Sequence, residues 1–117
     1  MDVDKADRSK EVLLVEEIDG VANGVKAELH LVGIETLRAH NLREAEKIVG
    51  EHGAGIDALV LSDIPDPVRL RCFRALLPNA LVVVSNVNVE SSGEFQAVHP
   101  WQLARYLGRV LFESVPH

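Results

Sequence analysis

Four pairs of adjacent residues carry most of the chemistry this sequence could perform: Glu16-Glu17, Ser62-Asp63, Ser85-Asn86 and His99-Pro100. The first three follow short apolar runs and the fourth closes a shorter one, so carboxylates, hydroxyls and an imidazole recur at comparable places. Two or three carboxylates brought together could hold a hard divalent cation such as Mg²⁺, which prefers oxygen ligands; Glu16, Glu17 and Asp63 are the candidate set. They would equally repel a bare phosphate. Each residue also has a plainer duty open to it. Glu16 and Glu17 could be solvated at a strand end, and Asp63 could cap a turn. Ser85 could bond backbone, and His99 could be an exposed residue before a proline-led helix.

The elements that must position these residues are read from hydrophobic period. Val12-Leu13-Leu14-Val15, Ala58-Leu59-Val60-Leu61 and Ala80-Leu81-Val82-Val83-Val84 are apolar at nearly every position. Strands buried on both faces read this way. Ile34 to Ala39 and Phe95 to Val98 read as two further strands. Between them, Leu42, Ala45, Ile48 and Val49 form a helical stripe with Arg43, Glu44, Glu46 and Lys47 opposite. Asn41 with Glu44 three residues on resembles a capping box, and Gly50 or Gly53 ends that helix. Asp19 to Leu31 is a weaker helix with Val21, Val25 and Leu29 on one side, because Gly20 and Gly24 each cost about 1 kcal/mol relative to alanine. Val68 to Leu77 is a short helix. Pro100 opens the last one, with Leu103, Leu107, Val110 and Leu111 as its core stripe. Strands alternating with helices give a doubly wound α/β domain with a parallel five-stranded sheet. Its chemistry belongs at the carboxyl ends of the strands.

Composition narrows the classes. The chain has 117 residues, 12 Lys plus Arg against 18 Asp plus Glu, a formal net charge of −6 and 47% apolar content. That suits one domain over residues 11–117 after a frayed polar segment, residues 1–10. The acidic balance disfavours nucleic acid and acidic membrane surfaces. No apolar run approaches the roughly 20 residues needed to span a bilayer. The single Cys72 excludes an internal disulfide and is expected in the core of a cytoplasmic protein. His30, His40, His52 and His117 lack the short spacing of a zinc site and are expected to be structural or at the surface. Arg69, Arg71 and Arg74 give the third helix a basic face, expected to be solvated or paired within the chain.

From about Val12 to Phe112 the sequence resembles the response-regulator receiver domains of two-component signalling. The apolar strand with its acidic pair is Val12-Leu13-Leu14-Val15-Glu16-Glu17, and Ala39-His40-Asn41-Leu42-Arg43-Glu44-Ala45 is similar to the family's second helix and its lead-in. Asp63-Ile64-Pro65-Asp66-Pro67 resembles the phospho-acceptor segment, Ser85 the hydroxyl residue after the fourth strand, and His99-Pro100 the lysine-proline pair. The resemblance implies Asp63 as acceptor, with Ser85 and His99 as its partners and Mg²⁺ on the acidic pair. Counting from Asp57 places Ser62 at the acceptor position instead, while counting back from Pro67 selects Asp63, which is favoured.

The departures shape the expectation. His99 replaces a lysine with an imidazole whose ordinary pKa of about 6.5 leaves it mostly uncharged at pH 7. It could keep a cis bond to Pro100, as the family's lysine does. Glutamates lengthen both metal-binding arms. Too few residues lie between Ser85 and His99 for a fourth helix, so that helix is expected to be shortened or missing, with Phe95 or an apolar neighbour filling its place. On the last helix Trp101, Arg105, Gly108 and Phe112 form a second stripe, rich in residue types common at binding hot spots; Trp101 and Phe112 could instead complete the core. The leading expectation is an atypical receiver-like module, not an enzyme, with no cofactor. It would work by protein–protein contact or homodimerisation through Trp101, Arg105 and Phe112, with phosphorylation lost or reduced. The alternative is a working receiver, phosphorylated at Asp63 by a histidine kinase with Mg²⁺. A flavodoxin-like nucleotide or FMN enzyme needs a phosphate loop after the first strand, where Glu16-Glu17-Ile18-Asp19 offers negative charge instead.

Overall fold

The three central strands are apolar at nearly every position and have to be covered from both sides, and the intervening helices do this. The computed structural model describes residues 10–93 and 95–112. Apart from Lys10, the polar segment 1–10 lies outside the described residues, as does His117. In chain order the elements are β1 (Lys10–Val15), α1 (Asp19–Leu31), β2 (Ile34–Ala39), α2 (Leu42–His52), β3 (Ala58–Leu61), α3 (Pro67–Leu76), β4 (Leu81–Ser85), β5 (Gln96–Val98) and α4 (Leu103–Phe112). Short 3₁₀ turns at Gly53–Gly55 and Pro100–Gln102 precede β3 and α4. All strand pairs are parallel, in the order β2-β1-β3-β4-β5.

Alternate residues along the central strands feed two separate cores. Val12 and Leu14 of β1, with Ala58 and Val60 of β3, pack under α1 and α4 against Ala22, Leu29, Leu103 and Leu107. Leu13, Val15, Leu59 and Leu61 point the other way, toward Ala45 and Val49 of α2 and Phe73 of α3. Helix α1 forms despite its glycines because burying Leu29 contributes about 1.5–3 kcal/mol, enough to offset them. Its buried side is Ala22 and Leu29. Val21, expected on that side, is exposed. Asn41 caps α2 as expected, and the helix runs past Gly50 to end at Gly53. The α3 cap is Asp66, whose carboxylate accepts from the amides of Val68 and Arg69.

No helix lies between β4 and β5 among the described residues. The connection is held by small polar bonds instead: Asn86 donates its side-chain amide to the Ser62 carbonyl, and Ser92 donates its amide to the Phe95 carbonyl. Val89 and Phe95 pack against the second core, so apolar residues do occupy the ground a helix would cover. The Ser91 hydroxyl accepts from the Ala97 amide at 2.9 Å and from the Gln96 side chain at 3.0 Å, which blunts the exposed edge of β5. One expectation is corrected: Cys72 is exposed, because it lies on the face of α3 opposite Leu70 and Phe73. Of the two readings open for His99, the bond to Pro100 is trans and the residue is exposed ahead of the helix.

Candidate functional site

Strand register sets the geometry at the carboxyl edge. Val15 lies opposite Leu61, Leu61 opposite Val84, and Ser85 opposite Val98. One step further along, Glu16, Ser62 and Ser85 fall in one row, and Glu17, Asp63, Asn86 and His99 in the next. The sequence-derived residues therefore share one edge, but their side chains do not converge on one point.

Glu16 is 9% exposed, and its carboxylate turns back to accept the Ile18 amide at 3.0 Å. Asp63 is exposed and accepts the amide of its own neighbour, Ile64, at 2.9 Å. The Nδ1 of His99 accepts the Trp101 amide at 3.3 Å, so this residue caps the 3₁₀ turn instead of reaching toward Asp63. Glu17, Ser62 and Asp63 do share a pocket of about 230 Å³, completed by His40, Asn41 and Pro65 among others. His99 lines a different cleft, beside α4.

Arg38, which the reading of the sequence passed over, organises this edge. From near the end of β2 its guanidinium donates to the Glu16 carbonyl twice, at 3.0 and 2.8 Å, and pairs with Asp19 at 2.8 Å. One half-buried fork thus fixes the β1–α1 turn to its neighbouring strand. The available signal was an arginine near the end of a strand whose sequence neighbours the acidic pair. His40 extends the network, with its ring 3.7 Å from Asp19 and 2.9 Å from Glu44. Glu44 also accepts the His40 amide at 2.9 Å. These two hydrogen bonds, the ring's first, hold the Glu44 carboxyl below its ordinary value of 4.5.

A carboxyl whose folded value is depressed contributes stability above its unfolded value and loses it as pH falls through the folded one. Glu44→Gln is therefore expected to lower Tm at pH 7, with the difference closing as pH drops below 4.5. Parallel thermal melts of the two proteins from pH 7 to pH 3 check this; a gap that persists or widens in acid would count against it.

The residues fit Mg²⁺ poorly. Glu16, the first of the acidic pair, is committed to its own turn, and among the described residues no group of three or more His, Cys, Asp or Glu is arranged to hold a metal ion. The proposed contact stripe is also divided. Trp101 is 85% exposed within the 3₁₀ turn and stacks on His99, with ring centroids 6.4 Å apart. Phe112 is partly covered because it lies over Gly33, which adopts φ +85°, and Gly108 faces Val32. Arg105 lines the cleft between α4 and β5.

This five-stranded parallel sheet with its covering helices recurs in solved structures. A response-regulator receiver domain from Clostridium thermocellum matches with TM-score 0.70 at 17% identity, over 90% of this chain and 96% of that one. The chain has the response-regulator receiver fold. The receiver domain of the hybrid histidine kinase CckA gives TM-score 0.70 at 25% identity, over 86% and 98%. A chain from the complex of the phosphorylated P1 domain of CheA3 with CheY6 of R. sphaeroides gives 0.69 at 17%, over 89% and 97%. No family model and no curated protein matches the sequence. Within this fold no helix lies between β4 and β5 among the described residues, and at the carboxyl edge Glu16, Asp63 and His99 make local backbone bonds.

Proposed function

We propose that this chain is a receiver-like signalling module that acts through protein–protein contact, with phosphorylation lost or reduced. It is not itself an enzyme, and it works in the cytoplasm; among the described residues no helix is long and apolar enough to cross a membrane. The observation that carries the reading is the state of the carboxylates. Glu16 and Asp63 each satisfy a backbone amide of their own turn, and His99 serves as a cap. A phosphoryl-transfer site needs these groups preorganised around the transferring atom. Counted on from the last paired residues, Val15, Leu61 and Val84, Ser62 comes level with Glu16 and Ser85, with Asp63 one step further out. Contact is made through β5, the 3₁₀ turn and α4, where Trp101 of the turn stands free of the core and Arg105 of the helix is exposed. Phe112 supplies apolar surface at the other end of α4, for a partner protein or a second copy.

One observation favours a second reading, a working receiver that accepts phosphate on Asp63 from a histidine kinase. Glu17 and Asp63 line the same pocket. Amide NMR of the intact chain separates the two. Millimolar Mg²⁺ followed by beryllium fluoride, an acyl-phosphate mimic, is expected to leave the spectrum unchanged beyond isolated shifts at exposed carboxylates. Shifts that begin at Glu17, Asp63 and Ser85 and spread to Trp101 and Phe112 would overturn the proposal and establish the working receiver.

A further inference from the structure

We propose that the cleft between α4 and β5 binds carboxylate side chains of an acidic segment on a partner protein. This deepens the contact-module reading and rests on it. The cleft, of about 420 Å³, is lined among the described residues by Gln96, His99, Gln102, Arg105, Tyr106 and Arg109 along with Ala97 and Val98, none of them acidic. In a chain with 18 Asp plus Glu against 12 Lys plus Arg, a cleft whose described charged side chains are two arginines is a local reversal of charge. Among the described residues neither Arg105 nor Arg109 has an ion-pair partner.

The placement of these arginines works against the helix that carries them. They are four residues apart on one face, where like charges repel. Arg105 also lies in the first turn of α4, where a cation opposes the helix dipole and no acidic residue compensates. An external anion between the two guanidiniums relieves both conflicts and takes forked hydrogen bonds from each. His99 adds a donor: its Nδ1 is used as an acceptor by the Trp101 amide, which leaves Nε2 to carry the proton of the neutral ring. Trp101, stacked on His99 and 85% exposed, provides an apolar shelf beside the charges for the aliphatic part of a bound segment.

The occupant follows from charge and symmetry. A second copy meeting this face about a twofold axis would bring equivalent arginines together. A nucleic acid would meet a chain of net charge −6. Strand addition to β5 is obstructed because the Ser91 hydroxyl already holds the Ala97 amide. What remains is side-chain recognition, carboxylates entering between Arg105 and Arg109.

The test uses the intact chain and a ten-residue peptide of alternating Glu and Ser, followed at low salt by the fluorescence of the single tryptophan and by amide shifts. Saturable binding mapped to His99, Arg105 and Arg109 is expected. R105E/R109E should weaken it at least tenfold and R105Q/R109Q by less, while R71E/R74E, an equal charge change on α3, should stay within twofold. Equal losses in both reversal variants would overturn the proposal, as would equal binding of a Gln-Ser peptide. So would self-association abolished by R105E/R109E, or tighter binding of a single-stranded oligonucleotide at the same residues. The beryllium fluoride titration is run without peptide, so the two ideas fail separately. A spreading response there sinks the contact-module reading, whereas a silent response with no peptide binding sinks the cleft alone.

Discussion

Phe73→Ala is expected to remove about 3–5 kcal/mol of stability, a large part of the roughly 5–15 kcal/mol that holds a domain of this kind together. Phe73 is 1% exposed and heads the largest fully buried side chains of the protein. It projects from α3 into the core formed by Leu59 and Leu61 of β3, Val84 of β4 and Val49 of α2. Truncation leaves a cavity between one short helix and two strands, and the ten-residue α3 has little other anchorage besides Leu70 and the Leu77 that follows it. Urea unfolding checks this: at a typical slope of about 1–3 kcal/mol per molar, the midpoint should fall by more than about 1 M. Cys72→Ala, at the exposed neighbouring position, is the matched control and should shift stability by no more than about 0.5 kcal/mol. Similar values for the two substitutions would mean that α3 is not held by this core.

Arg38→Ala is expected to cost about 2–3 kcal/mol, through a different mechanism. The arginine side chain is 19% exposed, and its ion pair with the exposed Asp19 is therefore a minor part of its effect. The larger part comes from the two hydrogen bonds to the Glu16 carbonyl, which is left short of donors in a half-buried setting. Lysine keeps the charge but lacks the fork, so Arg38→Lys should recover only part of the loss. Hydrogen exchange gives the distinguishing readout. The amides of Ile18 and Ala22, at the turn and first turn of α1, should exchange faster in Arg38→Ala by more than those of Leu59 and Val60 in the central strand. A uniform increase across the chain would show global loosening and refute the assigned role.

Much of this architecture was legible because burial on two faces leaves an unambiguous mark. Runs such as Leu59-Val60-Leu61 cannot sit half in water, so parallel strands between helices followed, and with them the edge on which polar residues gather. The capping of α2 by Asn41 was equally local and equally readable. What resisted reading was decided by contacts distant in sequence. The buried side of α1 turns on where β1 and α4 lie, which shifts Val21 outward and Ala22 inward. The contact stripe on α4 divides because Pro100–Gln102 is a 3₁₀ turn and because Gly33 opens a seat for Phe112. At the candidate site, residue types and their order along the strand ends were visible, but hydrogen-bond allegiance was not. Nothing in Glu16-Glu17-Ile18 announces that the first carboxylate folds back on its own turn. Arg38 escaped notice because its partner is a backbone carbonyl, which no sequence pattern displays.

The core beneath α1 and α4 joins Val12, near the start of the first strand, to Leu107 in the last helix. During synthesis this has a cost that the finished protein does not reveal. A nascent chain that has already emitted these five strands has α1 but not α4 to cover this side of the sheet, so the part that Leu103 and Leu107 seal is still open to solvent. Folding therefore completes only after α4 emerges, and any fragment halted before Leu103 presents that apolar face to chaperones and proteases. Closure of this face thus waits on α4, however early the strands beneath it have paired.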